Sequence, residues 1–259
     1  MPSELLTERR GAALILTLSD PATRNALSEP LVAEGLAALD LASADAGIRC
    51  VIIQGAGGHF CAGGNLQGLL ARREAGPPAQ IRMINQLHGW IAAMRACPKP
   101  VIAAVEGAAA GAGFSIALAC DLIVAAEDAR FMLSHGRLGL SPDGGATAAL
   151  VRAMPRAKVQ AWVWLAEAIS ARELEAAGLV NCVTTHGAAL AEALRLAERL
   201  SAMAPNAIAS GKALVELAAG ATLAEQLNAE RDHFVANLFH DNGAEGLAAF
   251  TGKRPAAFR

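Results

Sequence analysis

The sequence contains no tyrosine, and aromatic residues make up only 4% of its 259 positions. Charge is also scarce: 18% of residues are charged, the formal net charge is −2, and no stretch forms a basic stripe. That balance excludes a nucleic-acid partner. A hydrophobic content of 54% at such low charge describes a packed globular chain and not a disordered one. With few rings available, alanine and glycine must carry close packing between helices.

Other absences narrow the choice further. The five cysteines (Cys50, Cys61, Cys97, Cys120 and Cys182) are odd in number and form no Cys-x-x-Cys pair. Neither a disulfide framework nor a structural zinc site is expected, and no metal is assigned. The most apolar region, residues 101–126, is interrupted by Glu106 and Asp121, so the uncharged run between them is too short for a bilayer. The N-terminus has acids before its first apolar run and no cleavage pattern. The expectation is a cytoplasmic protein with no membrane partner. Nucleotide fingerprints are missing too. Gly55 and Gly57 lack a third glycine at Phe60, Gly111 and Gly113 lack one at Ile116, and no G-x-x-x-x-G-K-[ST] occurs.

What is present is an alternation of strands and helices. Residues 12–18 read as a first strand. Ser28 is placed as the N-cap of a helix with Pro30 in its first turn. Residues 50–54, CVIIQ, form a continuous apolar run, the signature of a strand buried on both faces. A glycine-rich turn, GAGGHFCAGGNLQGL, follows. Residues 69–78, with Pro77 and Pro78, read as a mobile surface segment, and residues 79–96 as a helix. Strands at 101–105, 122–126 and 179–184 come next, with helices between, and helix dominates from Ala188 onward. This is an α/β core over residues 1–185 followed by a helical region over 186–259.

The stretch 97–145 draws the chemistry together. A buried strand stops at the small-residue loop 107–113 and restarts as a helix, which leaves backbone N–H groups free at the helix start. Such groups can hold an oxyanion. The stretch ends on a lone acid, Asp143, in Ser-Pro-Asp-Gly-Gly. The same strand–glycine loop–helix unit occurs at 50–70.

FCAGGNLQGL resembles the F-[SC]-A-G-[AG]-[DN]-L motif of the crotonase superfamily, the enoyl-CoA hydratase/isomerase family. PKPVIAAVEGAAAGAGFSIALACDLIVAAEDARF resembles that family's second signature, and RNALS and EGLAAFTGKRPAAF fit its ends. The resemblance implies a spiral of ββα units with a helical C-terminal part that trimerises, often as a dimer of trimers. It implies an acyl-CoA substrate, coenzyme A being part of that substrate and no separate cofactor being used. Two backbone N–H groups, by position those of Gly64 and Ala112, would hold the thioester oxygen as it becomes an enolate. Arg24, Ala26, Leu27, Ala62, Gly63, Asn65, Leu66 and Lys253 fall where the family contacts coenzyme A. Met83, Ile84, Leu87, Trp90, Phe131, Leu133, Leu138 and Leu140 are candidates to line the acyl pocket, ordinary core being the plain alternative.

The chain departs from the hydratases at two points. Their glutamates fall at Ser115 and His135, and neither is an acid here. Ser115 is expected to bond locally. Asp143 resembles the acid of members that shift double bonds, taking a proton from one carbon and returning it two carbons along. The competing reading makes Asp143 the cap of the helix near Gly145. His135 is either a second proton carrier or a neutral pocket donor. His88 matches a water-activating histidine of the chlorobenzoyl-CoA dehalogenases, where an aspartate at the place of Asp143 attacks the ring. Those enzymes carry tryptophan where this chain has His135. Double-bond isomerisation is thus the leading expectation. Hydration by atypical groups, hydrolytic or dehalogenating chemistry, and a non-catalytic coenzyme A-binding protein are the alternatives.

Overall fold

The computed structural model describes residues 3–259. The chain opens with strands β1 (Glu4–Arg10) and β2 (Ala13–Ser19), then helix α1 (Glu29–Ala44), β3 (Cys50–Gly55), α2 (Leu66–Ala75) and α3 (Pro77–Ala96). Next come β4 (Val101–Val105), β5 (Ala108–Ala110), α4 (Ala112–Ala119), β6 (Leu122–Ala126) and β7 (Arg130–Met132). A 3-10 turn (Ser134–Leu138) leads to α5 (Ala146–Ala153), α6 (Arg156–Leu165), β8 (Ile169–Ser170), α7 (Ala171–Ala176) and β9 (Cys182–Thr184). The chain closes with α8 (Ala189–Ser201), α9 (Pro205–Ala218), α10 (Leu223–Leu238) and α11 (Asp241–Thr251).

Strands β2, β3, β4, β6 and β9 are parallel neighbours in that order, with β1 antiparallel at the edge. A small second sheet runs β5-β7-β8. The apolar runs of β3 and β4 are buried on both faces. Val51, Ile53, Val101, Ala103 and Val105 join the main core with residues of α1 and α3. Ile52, Ile102 and Ala104 face a second layer that includes Ala189, Ala193 and Ala197. Alanine at every fourth position gives α8 one flat face, and that face lies against the sheet. On the other side, α1 meets α3 at Gly35, where a Cβ would sit 2.4 Å from the Trp90 ring.

Strand β1 has no counterpart in the sequence reading. Its residues are almost all exposed, so it shows no alternation to detect. Its charges suit an edge strand, which must resist pairing with other chains. The mobile segment expected at 69–78 is instead ordered helix. Pro77 and Pro78 fill the first turn of α3, where no N–H is needed, and Gly76 at φ 92° makes the joint with α2. Ser28 caps α1 by accepting from the Leu31 N–H.

Helices α9 and α10 bury no residue fully. Polar contacts tie α9 to the core instead. Lys212 Nζ donates to Asp121 Oδ2 and to the Met94 carbonyl, both at 2.7 Å, and Glu216 pairs with Arg95. Burial pushes the Asp121 carboxyl above the usual carboxylate range, against the pull of Lys212 and of the Val101 N–H. Replacing Lys212 by Ala is expected to lower the unfolding free energy by about 2 kcal/mol, the scale of a charged hydrogen bond at a partly buried site. Without Lys212 the carboxyl rises further, so the folded state holds a proton that the unfolded state gives up. The deficit should therefore shrink as pH falls. Denaturant melts of Lys212→Ala at pH 7 and pH 5 check both points; an equal loss at the two values would contradict the second.

Candidate active site

The site is built from backbone before side chains. Residues 24–27 run beside residues 62–65: the Ala62 N–H donates to the Arg24 carbonyl at 2.9 Å, Leu27 to Gly63 at 2.7 Å, and Asn65 to Leu27 at 3.2 Å. On the other flank Cys61 bridges Ala109, with Cys61 N–H to the Ala108 carbonyl at 3.0 Å and Ala110 N–H to the Cys61 carbonyl at 2.9 Å. The first glycine loop is thus strapped on both sides. Gly63 has φ 98°, and a Cβ there would lie 2.8 Å from the Ala110 carbonyl oxygen and 3.4 Å from the Ala112 nitrogen. At Gly113 a Cβ would meet the Cys61 carbonyl oxygen at 2.3 Å. The two loops touch, and only small residues permit it.

The N–H groups of Gly64 and Ala112 have no partner among the described residues. Ala112 is the first residue of α4, so its N–H is one that a helix leaves open. Beside this pair stands His135, which is buried. Its Nε2 would lie 3.6 Å from a Cβ on Gly111 and is 3.3 Å from Asp143 Oδ1. The Asp143 side chain keeps 26% of its surface exposed. Ser115, buried in α4, donates through Oγ to the Asp143 carbonyl at 2.9 Å and sits 3.4 Å from the Gly111 carbonyl. Capping is not what the Asp143 side chain does: α5 begins after Gly145 with no side-chain cap, and the carboxylate turns to His135. His135 Nδ1 is buried with no hydrogen-bond partner.

The remaining expected residues fall in several places. Ala26 and Leu27 are buried in the segment that runs beside residues 62–65, and Arg24 is exposed in the left-handed conformation at φ 55°. Ala62 and Gly63 lie in the strapped loop. Asn65 caps α2 by accepting from the Gly68 N–H at 3.0 Å, and Leu66 is exposed. Lys253 is exposed at the turn after α11, far along the chain from the two loops. Met83, Leu87, Trp90, Phe131 and Leu133 belong to the main core. Leu138 and Leu140 do not line an enclosed pocket within one chain; they are 55% and 49% exposed, because the chain there leaves the 3-10 turn for the surface. His88 is exposed, one turn before Ile91, and makes no hydrogen bond to Asp143 among the described residues. Ile91 Cδ1 would lie 3.0 Å from a Cβ on Gly144.

Cys61 sits directly behind the loop, where its sulfur accepts the Gly63 N–H at 3.4 Å. Burial pushes its thiol up to about 12, which makes it an unreactive packing group. Among the described residues, one grouping has metal-ligand spacing: Glu106, Asp128 and His186. Both Glu106 oxygens already accept N–H groups, from Gly187 at 3.0 Å and Ala189 at 2.9 Å, at the start of α8. The sequence reading passed over Asn25, which is fully buried between Arg24 and Ala26. The available signal was an amide inside a turn whose neighbours pair with the glycine loop.

Two open backbone donors at touching glycine loops, with one acid beside them, form an arrangement that can hold a developing oxyanion. A family model described as enoyl-CoA hydratase/isomerase matches residues 8–259. The chain is 35% identical over 257 residues to the 2,3-dehydroadipyl-CoA hydratase of Escherichia coli K12, covering 99% of each. It is 32% identical over 259 residues to the 1,2-epoxyphenylacetyl-CoA isomerase of the same organism, covering 98% of this chain and 97% of that one. The crystal structure of an enoyl-CoA hydratase from Polaromonas sp. JS666 superposes with a TM-score of 0.97 at 53% identity, over 99% of this chain and all of that one. The chain belongs to the enoyl-CoA hydratase/isomerase family and has the crotonase fold.

Ala112→Pro removes one open N–H while keeping a residue that suits the first helical position. Turnover of an acyl-CoA substrate by this variant is expected to fall about 100-fold or more, the loss found when one such donor is deleted. Steady-state kinetics with unchanged circular dichroism would establish it, and a fall of less than about tenfold would contradict it.

Proposed function

We propose that this chain isomerises the double bond of an enoyl-CoA thioester, with Asp143 carrying the proton. The observation that carries the reading is the pairing of the Asp143 carboxylate with His135 beside the open Ala112 and Gly64 donors, while Ser115 is committed to a carbonyl. The thioester oxygen accepts the two N–H groups. Asp143 takes a proton from Cα of a 3-enoyl thioester, and the electron pair moves into a dienolate whose oxygen the two donors stabilise. The carboxylic acid so formed returns its proton to Cγ, which leaves the conjugated 2-enoyl thioester and regenerates the carboxylate. With its proton on Nε2, His135 donates to that carboxylate and holds its orientation between the two transfers.

A second reading is hydration, in which His135 and Asp143 act on one water. It draws support from the likeness to the Escherichia coli hydratase and to the Polaromonas enoyl-CoA hydratase. Hydrolytic or dehalogenating chemistry through His88 gains nothing from the geometry, since the carboxylate faces His135. A non-catalytic coenzyme A-binding protein would have no use for that pair.

The same proposal includes assembly as a trimer or dimer of trimers. Helix α10 leaves Leu223, Leu227 and Phe234 exposed, with Phe239 just beyond its end, a run of large apolar groups that a second copy would cover.

Asp143→Asn should abolish conversion of 3-enoyl-CoA to its conjugated isomer, reducing kcat by about 1,000-fold or more. The appearance of the 2-enoyl chromophore follows the reaction; unchanged turnover would sink the assignment. Loss of 2-enoyl-CoA absorbance with wild-type protein would favour hydration instead. Light scattering should give the mass of a trimer or hexamer, and Phe234→Glu should lower it.

A further inference from the structure

We infer that Asn25 is a positioning residue for the oxyanion hole: it fixes the direction in which the Gly64 N–H points. The inference rests on the reading that this N–H receives the thioester oxygen.

Asn25 is fully buried and has φ 61°, a conformation that asparagine tolerates better than most residues. Both ends of its amide are used. Oδ1 accepts from the Asp20 N–H at 3.0 Å. Nδ2 donates to the Ala56 carbonyl at 2.8 Å and to the His59 carbonyl at 2.7 Å. Two carbonyls on one side and an N–H on the other admit a single orientation of the amide. The carbonyls belong to the turn that follows β3, and the N–H to the end of the first hairpin. Asn25 therefore stitches the chain before Leu27 to the chain before Gly64.

Two residues on, the Leu27 N–H donates to the Gly63 carbonyl at 2.7 Å. That carbonyl and the Gly64 N–H belong to one trans peptide, so they point in opposite directions. Holding the carbonyl toward Leu27 turns the N–H away from it. Asn25 sets where Leu27 stands, Leu27 sets the peptide plane, and the plane sets the donor. The strap on the far side, from Cys61 to Ala109, fixes the loop's place but does not touch this peptide.

The experiment uses full-length protein and hexanoyl-CoA carrying a 13C-labelled carbonyl, a saturated thioester that cannot isomerise. Infrared difference spectra read the carbonyl stretch, which drops when the hole polarises the bound thioester. Asn25→Gly keeps the left-handed backbone and deletes the side chain's four hydrogen bonds, the fourth being Nδ2 to the Phe60 carbonyl at 3.4 Å. Asn25→Asp keeps the shape and faces two carbonyls with an oxygen. Both are expected to shrink the frequency drop and to lower kcat on 3-enoyl-CoA about 10- to 100-fold, with KM changed less than about threefold. Folded variants with the wild-type frequency drop would overturn the proposal, as would failure of both to fold, which would make Asn25 a fold residue and not a positioning one. Ala112→Pro separates the underlying reading. If that variant keeps the full frequency drop, the hole itself is misassigned; if it loses it while the Asn25 variants do not, only the role of Asn25 falls.

Discussion

The orientation of a single peptide plane, Gly63–Gly64, is the constraint on which the site depends. A trans peptide cannot turn its N–H without turning its C=O, and here the C=O is bound by Leu27. For that bond to form, residues 24–27 must run beside residues 62–65, and α1 must start where Ser28 caps it. For the neighbouring donor to converge, Gly113 must let α4 approach to within contact of Cys61. The parallel sheet brings this about, because β3 and β4 end side by side and release both loops at the same edge. The sheet's double burial, by α1 and α3 on one face and α8 on the other, keeps that edge rigid.

Stability is distributed unevenly around this centre. The sheet and its flanking helices are held by apolar burial, whereas α9 is held by ion pairs and by Lys212 bonded to main-chain carbonyls. The chain's last residues are tied in the same polar manner. Asn242 clamps the backbone of Arg259 at both N–H and C=O, and Glu245 pairs with Arg254. Polar anchoring fixes direction without consuming apolar surface, and the large apolar groups of α10 are left facing outward.

Much of this was legible in the residues. The run at 50–54 reads as a strand buried on both faces and that at 101–105 as a buried strand; Cys50–Ile53 and Val101–Val105 are fully buried, while Gln54 is half-buried. Gly64 and Ala112 came from the resemblance to the family's two motifs, and the close approach of the loops is visible at Gly63, where a Cβ would lie 2.8 Å from the Ala110 carbonyl oxygen. Strand β1 was not legible, since an exposed edge strand has no hydrophobic period. Pro77 and Pro78 misled because proline breaks a helix interior yet begins a helix well. Sequence left Asp143 between capping and proton transfer, which ask for the same residue type; the structure turns its side chain away from a cap and toward His135. Asn25 was hidden for another reason. Its partners are main-chain groups, carbonyls and one N–H, which every sequence has.

The pairing of Asp143 with His135 spans only eight residues of chain, all within one loop after β7. The hole is assembled elsewhere, from residues 24–27, 61–64 and 109–113. The two units meet at the Ser115 hydroxyl and the Gly111 backbone, next to the pairing of β5 with β7. On the proposed reaction, recognition of the thioester and disposal of the enolate are thus anchored in different segments. A lineage could rewrite the segment 134–143, and with it the fate of the intermediate, while inheriting the activating half of the enzyme unaltered.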